Sequence, residues 1–260
     1  MKVSVITVTY NRGHLIHETI KSVLAQSCTN FEYLIIDDGS TDHTEQVVNG
    51  FHDSRIRYFK QARTANLSTL HNFGVAKSEG DLISILDSDD LWATNKLEKI
   101  ISIFNLNKEI SLVTHNIKYF KEAEVTHENY YPTKKDLQGN LFKEVLLFRI
   151  LPFPVFTFKK SVLEKLDYMN ENYFDGQQDF LFRLAKKHSI YFSADTLSYI
   201  RLHTLNTHST FKNTHYYRNY YKSVFNLFRI KEISSGLFLK SLILISKNFL
   251  SRIFDNSGKF

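Results

Sequence analysis

The sequence contains a single cysteine, Cys28, so no disulfide can form within the chain. It also lacks any run of about 18 or more uninterrupted apolar residues, which disfavours a transmembrane helix. Met1 leads directly into a strand-like run without a basic and then apolar leader, so we expect a cytoplasmic protein. The hydrophobic fraction of 43% in 260 residues is nevertheless typical of a globular protein with a sizeable core.

Several familiar catalytic and nucleotide-binding motifs are absent as well. The sequence has no GxGxxG segment, no GxxxxGKS or GxxxxGKT segment, and no nucleophile-elbow serine. It has no histidine pair with metal-ligand spacing and no cysteine cluster. A dinucleotide-binding fold of the common type and a P-loop enzyme are therefore disfavoured.

Strand-like and helix-like segments alternate through the first part of the chain. Helical spacing of apolar residues predicts helices between strands, and short connections join the two kinds of element. This alternation is typical of an α/β fold with a mostly parallel sheet covered by helices on both faces. Apolar, β-branched runs predict five strands, at 3–10, 31–37, 55–59, 81–87 and 110–116.

The alternation is weaker in the second part of the chain. Residues 121–140 are polar and aromatic without a clear period, which indicates a loop or an irregular insertion. Helical patterns return in three segments, and 190–200 is predicted to form one or two strands. The three helical segments are 141–148, 161–166 and 178–188.

Three polar clusters directly follow predicted strands. In parallel α/β sheets ligands bind at the carboxyl ends of the strands, where neighbouring strand ends meet. We therefore expect these clusters to converge in space although they are far apart in the sequence. The clusters are Thr9-Tyr10-Asn11, Asp37-Asp38-Gly39 and Asp87-Ser88-Asp89-Asp90.

The segment LDSDDLW places three carboxylates in four residues after a predicted buried strand. Such crowding costs repulsion and desolvation. A hard divalent cation held by Asp87 and Asp89 would offset that cost and leave positions open for phosphate oxygens. A solvated turn with a helix cap is the alternative. A calcium loop is excluded because Trp92 stands where the EF-hand spacing requires glycine.

The ordered motifs TYNR, DDGSTD and DSDD resemble the amino-terminal half of family 2 glycosyltransferases, which have the GT-A fold. The resemblance covers about residues 3–115. It implies a GT-A, Rossmann-like sheet flanked by helices and an inverting, metal-dependent hexosyltransferase. Such an enzyme would move a sugar from a UDP-sugar, or from a dTDP-sugar, to a hydroxyl of a saccharide or lipid-linked saccharide, as in bacterial surface-polysaccharide synthesis.

The same resemblance divides the chain into three parts. Residues 1–115 would bind the nucleotide-sugar, and residues 116–210 would complete the same GT-A domain with the acceptor site and the catalytic base. Residues 211–260 would form a basic, aromatic and apolar helical extension.

The resemblance assigns nucleotide-binding roles by position. Thr9 and Tyr10 would pack around the base, and Asp38 would accept a hydrogen bond from N3 of uracil. A carboxylate there favours uracil or thymine, because cytosine and adenine offer no comparable N–H donor. Asp87 and Ser88 would lie near the ribose.

The metal and the diphosphate are assigned in the same way. Asp89, the last acid of the D-x-D motif, would bind a Mn²⁺ or Mg²⁺ ion that bridges the diphosphate. His203 is a second candidate near the metal or the diphosphate, with an ordinary surface histidine as the alternative. His71 stands where many relatives carry an arginine near the diphosphate. We expect either that Arg63 substitutes for that arginine or that the donor pocket is altered.

Asp179 is the candidate catalytic base. It lies in GQQDFLFRL, in the place of the family's E-D-x-x-x-x-x-R motif, with Gln178 replacing the usual glutamate. A base at a helix start would be held rigidly within reach of an acceptor hydroxyl. The alternative is that the acid only stabilises the helix start. Because of His71 and Gln178, the second functional hypothesis is a catalytically impaired nucleotide-sugar-binding protein.

Positive charge is concentrated in the last part of the chain. From Lys212 onward there are nine Lys and Arg residues, opposed by Glu232 and Asp255. We expect this segment either to lie on an anionic membrane, at the inner face of the plasma membrane, or to form a homodimer. Membrane contact would suit a lipid-linked acceptor. Nucleic-acid binding through the same charges is a third hypothesis, which we do not favour.

Overall fold

The computed structural model describes residues 1–122, 124–125, 130–131, 133–147, 149–150, 155–202 and 214–254. Within these residues one ten-stranded sheet is flanked by helices on both faces. The α/β fold expected from the sequence is confirmed. His203, and with it the metal-side role predicted for this residue, lies outside the described residues.

The strands are β1 (Val3–Thr9), β2 (Phe31–Asp37), β3 (Ile56–Lys60), β4 (Leu82–Ile85), β5 (Leu91–Trp92), β6 (Ile110–Lys121), β7 (Glu124–Val125), β8 (Leu137–Gly139), β9 (Thr157–Lys159) and β10 (Ser189–Arg201). The helices are α1 (Ile16–Leu24), α2 (Thr44–Asn49), α3 (Leu67–Lys77), α4 (Lys96–Leu106), α5 (Phe142–Leu146), α6 (Lys160–Lys165), α7 (Gln177–Lys187), α8 (Thr214–Arg229) and α9 (Ser235–Phe254).

The sheet is mixed rather than mostly parallel. Its order is β3-β2-β1-β4-β9-β6-β10-β5, with β7 beside β6 and β8 beside β10. The first four strands in this order are parallel, as are β6 and β10. Strand β9 runs antiparallel between β4 and β6. The sequence did not reveal β9, because three residues are too few to show an alternating pattern.

The first strands are apolar without alternation because both faces of the sheet are covered. Val5 of β1 packs with α1 and α4 in one hydrophobic cluster, whereas its neighbour Ile6 packs with α3 in a second cluster on the other face. Every residue of β2 is buried. Strands covered on both faces need apolar side chains at successive positions. Their close packing makes the sheet a rigid layer, which holds the strand ends that precede the polar clusters in place.

The C-terminal helices belong to the same hydrophobic core as the sheet. Tyr220 and Val224 of α8 and Ile245 of α9 lie in the cluster that contains α7. The Tyr220 hydroxyl also donates to the backbone oxygen of Leu146, at 3.0 Å. The predicted helical extension therefore packs against the domain. Among the described helices, none combines the length and the apolar character that crossing a membrane would require.

Two helical glycines give a test of how closely α3 packs on β1. A methyl group added at Gly74 would lie 2.8 Å from the Ile6 side chain, whereas one added at Gly236 of α9 would meet no atom within 4 Å. We expect Gly74→Ala to destabilise the protein by about 1–3 kcal/mol through overpacking. Gly236→Ala should stabilise it by up to about 1 kcal/mol, because alanine favours the helix. Urea denaturation measures both, and equal effects would contradict this packing.

Candidate active site

The three polar clusters converge at one edge of the sheet. Strands β2, β1 and β4 are neighbours, and Thr9 lies in register with Asp37 where β1 and β2 end. The Asp38 N–H donates to the Thr9 oxygen at 2.9 Å, and the Leu86 N–H donates to the Ile6 oxygen at 3.1 Å. The segments that follow the three strands therefore begin side by side, as the sequence predicted.

Asn11 ties the turn after β1 to the turn after β2. Its backbone has a φ of 52°, a left-handed conformation that asparagine tolerates better than most residues. Its N–H donates to the Ser40 hydroxyl at 2.9 Å, and its side-chain oxygen accepts the Thr41 N–H at 2.9 Å. This turn holds the adjacent Tyr10 beside Asp38.

Asp38 is 2% exposed and makes a dense set of contacts. One carboxylate oxygen accepts the Thr64 N–H at 2.7 Å and the Thr64 hydroxyl at 2.9 Å, and the other accepts the Ala65 N–H at 3.0 Å. Arg63 forms an ion pair with the same carboxylate. Its guanidinium carbon lies 3.7 Å from the centroid of the Tyr10 ring. Arg63 thus contacts two of the three residues assigned to the nucleobase, Tyr10 and Asp38.

Asp87, Asp89 and Asp90 form a carboxylate cluster at the end of β4. One oxygen from each lies within 4.8 Å of the others. Burial raises the pKa of Asp87 to about 8, the charges of Asp89 and Asp175 add to the effect, and Arg12 opposes it. Burial also raises the pKa of Asp90, with further contributions from Asp89 and Asp87. The cluster therefore carries the electrostatic cost that its sequence indicated.

Two arginines partly offset this cost. The Arg12 Nε lies 3.9 Å from a carboxylate oxygen of Asp89. The backbone N–H of Arg201 donates to the Asp90 carboxylate at 2.9 Å, and its guanidinium donates to the Asp89 backbone oxygen at 2.8 Å. Neither residue was predicted from the sequence. Arg12 stands within the TYNR motif and could have been chosen, but Arg201 lies on β10, more than 100 residues away in sequence.

A divalent cation fits the carboxylate cluster. Its three carboxylates are hard oxygen ligands, close enough together to share one ion, as Mg²⁺ and Mn²⁺ prefer. Burial and the neighbouring carboxylates raise the pKa values of Asp87 and Asp90, and the positive charge of such an ion would favour the ionised form of both.

A buried lysine supports the turn that carries the cluster. Lys96 is fully buried, donates to the Ser198 hydroxyl at 3.1 Å, and has its ammonium 4.0 Å from the centroid of the Trp92 ring. Burial lowers the pKa of Lys96, and the nearby Asp90 opposes that effect. Strand β5, which contains Trp92, pairs with β10. The turn that carries the carboxylate cluster is thus fastened to the second half of the chain.

Asp179 lies in a different environment. Its carboxylate accepts the Arg183 Nε–H at 2.8 Å, and Arg183 in turn donates to the backbone oxygens of Leu166 and Tyr168. Asp179 and Arg183 line a surface cavity of about 800 Å³ that contains none of the residues of the three strand-end clusters. Asp179 thus shares neither this hydrogen-bond partner nor this cavity with the carboxylate cluster.

Asp175 is the acid of this segment whose negative charge reaches Asp87. Burial raises the pKa of Asp175 to about 6. Its carboxylate accepts the Gln177 N–H at 3.0 Å, at the start of α7. Little in the sequence pointed to this residue, because a lone acid before a helix start is usually structural.

The other predicted residues are buried. His71 is 2% exposed, and burial lowers its pKa to about 4, so it is uncharged at neutral pH. The Ser88 backbone oxygen accepts the Thr19 hydroxyl at 3.1 Å. The hydroxyl of Thr9 and the amide of Gln178 are buried without a hydrogen-bond partner. An uncharged His71 does not replace the positive charge of an arginine.

Comparison with known proteins places this geometry in context. Residues 4–166 match the model of the family described as Glycosyl transferase family 2. The chain is 36% identical over 132 residues to UDP-Glc:alpha-D-GlcNAc-diphosphoundecaprenol beta-1,3-glucosyltransferase WfgD of Escherichia coli, an alignment of 51% of this chain and 52% of that protein. It is 34% identical over 149 residues to an uncharacterized glycosyltransferase of Haemophilus influenzae, with 54% and 59% covered. The chain thus spans little more than half of these relatives.

Solved structures share the fold. S. aureus TarS 1–349 in complex with UDP-GlcNAc has a TM-score of 0.72 at 19% identity, with 99% of this chain and 74% of that chain covered. The mannosyltransferase PcManGT of Pyrobaculum calidifontis, in complex with GDP-Man and Mn²⁺, has a TM-score of 0.69 at 15% identity, with 100% and 76% covered.

Proposed function

The chain belongs to glycosyl transferase family 2, and from that membership we propose that it moves a hexose from a UDP-sugar to a hydroxyl of a saccharide or lipid-linked saccharide, with inversion. The observation that carries this proposal is the convergence of the Asp38 carboxylate and the carboxylate cluster at neighbouring strand ends. One offers an acceptor for a base, and the other offers ligands for the ion that accompanies a diphosphate.

The choice of nucleotide rests on Asp38. The solved relatives include one with a bound uridine nucleotide and one with a bound guanosine nucleotide, so the fold alone does not select between them. A buried carboxylate accepts the N3–H of uracil, and the adjacent Tyr10 ring offers a face for stacking. Thymine has the same N–H edge, so a dTDP-sugar is the alternative donor.

The carboxylate cluster supports a role in holding the leaving group. Asp89 and Asp87 would bind a Mg²⁺ or Mn²⁺ ion, which would neutralise charge on the diphosphate as the sugar departs. Arg12, next to Asp89, would add fixed positive charge on the same side. Because the cluster is anchored through β5 to β10, its ligands would be held in place before the donor binds.

We assign the catalytic base to Asp175 rather than to Asp179. An inverting transfer requires one carboxylate to take the proton from the acceptor hydroxyl, whose oxygen then bonds to the anomeric carbon as the bond to the diphosphate breaks. The base must therefore lie close to the donor site. The proximity of Asp175 to Asp87 supports this role, whereas Asp179 is paired with Arg183 beside a separate cavity.

The two C-terminal helices support a membrane-bound acceptor. The exposed side chains of α8 and α9 that we name the basic apolar face are hydrophobic and cationic, and neither helix contains an acidic residue. We propose that this face lies on an anionic membrane at the inner face of the plasma membrane. WfgD, by its name, acts on a sugar linked to diphosphoundecaprenol. The basic apolar face consists of Arg218, Lys222, Phe225, Arg229, Leu239, Lys240 and Ile243.

The second candidate function is nucleotide-sugar binding without transfer. It is favoured by the uncharged, buried His71 and by Gln178 in place of a glutamate. The two functions differ in one observable. A binding protein would be stabilised by nucleotide and metal but would show neither sugar transfer nor donor hydrolysis.

The donor and metal assignments predict a metal-dependent thermal shift. With UDP and Mn²⁺ together at about 100 times their dissociation constants, the free energy of unfolding should rise by about 3 kcal/mol, and with UDP alone it should rise much less. Asp89→Asn should abolish the metal-dependent part by removing a ligand. Thermal unfolding with UDP, dTDP, GDP and CDP measures this. If UDP and dTDP gave no metal-dependent shift, both assignments would be wrong.

The base assignment predicts different effects for two neighbouring acids. Asp175→Asn should reduce sugar transfer by at least about 100-fold, because the acceptor hydroxyl loses its proton acceptor, and should leave UDP binding intact. Asp179→Asn, the matched control, should retain transfer within about tenfold. Initial rates with a saccharide acceptor decide between them. Loss of transfer only in Asp179→Asn would restore the prediction made from the sequence, and an inactive native chain that binds UDP would favour the binding protein.

The membrane proposal predicts binding to anionic vesicles. The protein should cosediment with phosphatidylglycerol-containing vesicles at low salt and should be released at high salt, because screening weakens the attraction. Phe225→Ser combined with Leu239→Ser should reduce binding at least about tenfold. Leu106→Ser is the control, since Leu106 is 80% exposed on α4, outside the basic apolar face. Equal binding to neutral vesicles would contradict the proposal. A native dimer that the double variant no longer forms would support the homodimer alternative.

A further inference from the structure

Arg63 makes two contacts that together resemble those of a bound nucleobase. Its guanidinium lies over Tyr10, with the central carbon 3.7 Å from the ring centroid, and it forms an ion pair with the buried Asp38. A guanidinium is planar, stacks on aromatic rings and presents N–H donors at its edge. Uracil is also planar, stacks on aromatic rings and presents one N–H donor. The two groups would compete for the same ring and the same carboxylate.

The acceptor capacity of Asp38 makes this competition direct. An ionised carboxylate has about four lone-pair positions. Three of them receive the Thr64 N–H, the Thr64 hydroxyl and the Ala65 N–H, and the remaining position receives Arg63. The N3–H of uracil therefore finds a free acceptor only when Arg63 leaves.

The surroundings of Arg63 allow its side chain to leave while the backbone stays in place. The Arg63 side chain is 44% exposed, whereas the Asp38 side chain is 3% exposed. The Arg63 backbone passes so close to Gly39, whose φ is +75°, that a Cβ there would lie 3.0 Å from the Arg63 nitrogen. The next two residues, Thr64 and Ala65, donate backbone hydrogen bonds to Asp38 and hold the chain there. Only the long side chain needs to swing away.

We propose that Arg63 occupies the nucleobase position of the free protein and that the donor's uracil displaces it. This inference rests on the proposed uridine nucleotide donor. Arg63 keeps the buried Asp38 carboxylate paired and the Tyr10 ring covered when no donor is bound. It therefore lowers the apparent affinity for the base, because only the fraction of molecules with Arg63 displaced can bind it.

A purely structural role for Arg63 predicts the opposite result. If Arg63 only neutralised Asp38, or if it contacted the donor from the side, its removal would weaken uridine binding. The displacement model predicts that removal strengthens it. The sign of the change in affinity therefore separates the two models.

Uridine is the appropriate probe, because it has no phosphate that Arg63 could contact after moving. We expect Arg63→Ala to bind uridine about tenfold more tightly than the native protein in isothermal titration calorimetry. Arg63→Lys, which keeps the charge but loses the planar group, should fall between the two. Arg55→Ala is the matched control, since Arg55 lies 4.5 Å over the Phe31 ring and pairs with Asp53 away from the site. It should leave uridine affinity unchanged.

Nuclear magnetic resonance of the free protein provides an independent readout. The side-chain signals of Arg63 should show an upfield ring-current shift, and either uridine or Tyr10→Leu should remove it. Unchanged or weaker uridine binding by Arg63→Ala, while the native protein still binds UDP, would overturn the displacement model and leave the proposed function standing. If neither form bound uridine or UDP, the uridine donor would be wrong and the displacement model with it.

Discussion

The crowding of negative charge at the end of β4 is the constraint on which the rest of the site depends. One carboxylate oxygen from each of Asp87, Asp89 and Asp90 lies within 4.8 Å of the others in a partly buried turn, and burial together with the neighbouring charges raises the pKa of Asp87 and of Asp90. Arg12 and Arg201 offset part of the cost of this crowding but not all of it. A turn in this state favours binding of a divalent ion, because the ion's charge relieves repulsion already present in the fold.

The second half of the chain supports this turn. Strand β10 contributes Arg201 and Ser198, and it pairs with the short strand β5 that directly follows the carboxylates. The buried Lys96 joins Ser198 to the face of Trp92 beneath the turn. Residues that carry no chemistry of their own thus fix the positions of those that do. The turn after β4, in the first half of the chain, is thus held by contacts from the second half.

The turn that contains Asp37 and Asp38 is organised differently from the carboxylate cluster. Asp37 and Asp38 are both buried, but their oxygens receive hydrogen bonds from the chain itself, through Tyr58 and Ser40 for Asp37 and through Thr64 and Ala65 for Asp38. Because these hydrogen bonds stabilise the negative charge of Asp37 and Asp38, the two carboxylates need no metal ion. Acidic turns at neighbouring strand ends thus differ in how many hydrogen-bond donors the chain supplies to them.

The sequence by itself determined the α/β fold, the family and the three strand-end clusters, because apolar runs and short polar motifs are local signals. It pointed to Asp179 as the base, whereas the proposal of Asp175 comes from the structure, since both are acids near one helix start and only packing decides which lies near Asp87. It gave no sign of β9, of Arg201 beside Asp90, or of Arg63 over Tyr10. Those contacts join residues distant in sequence, so only the tertiary structure could decide them.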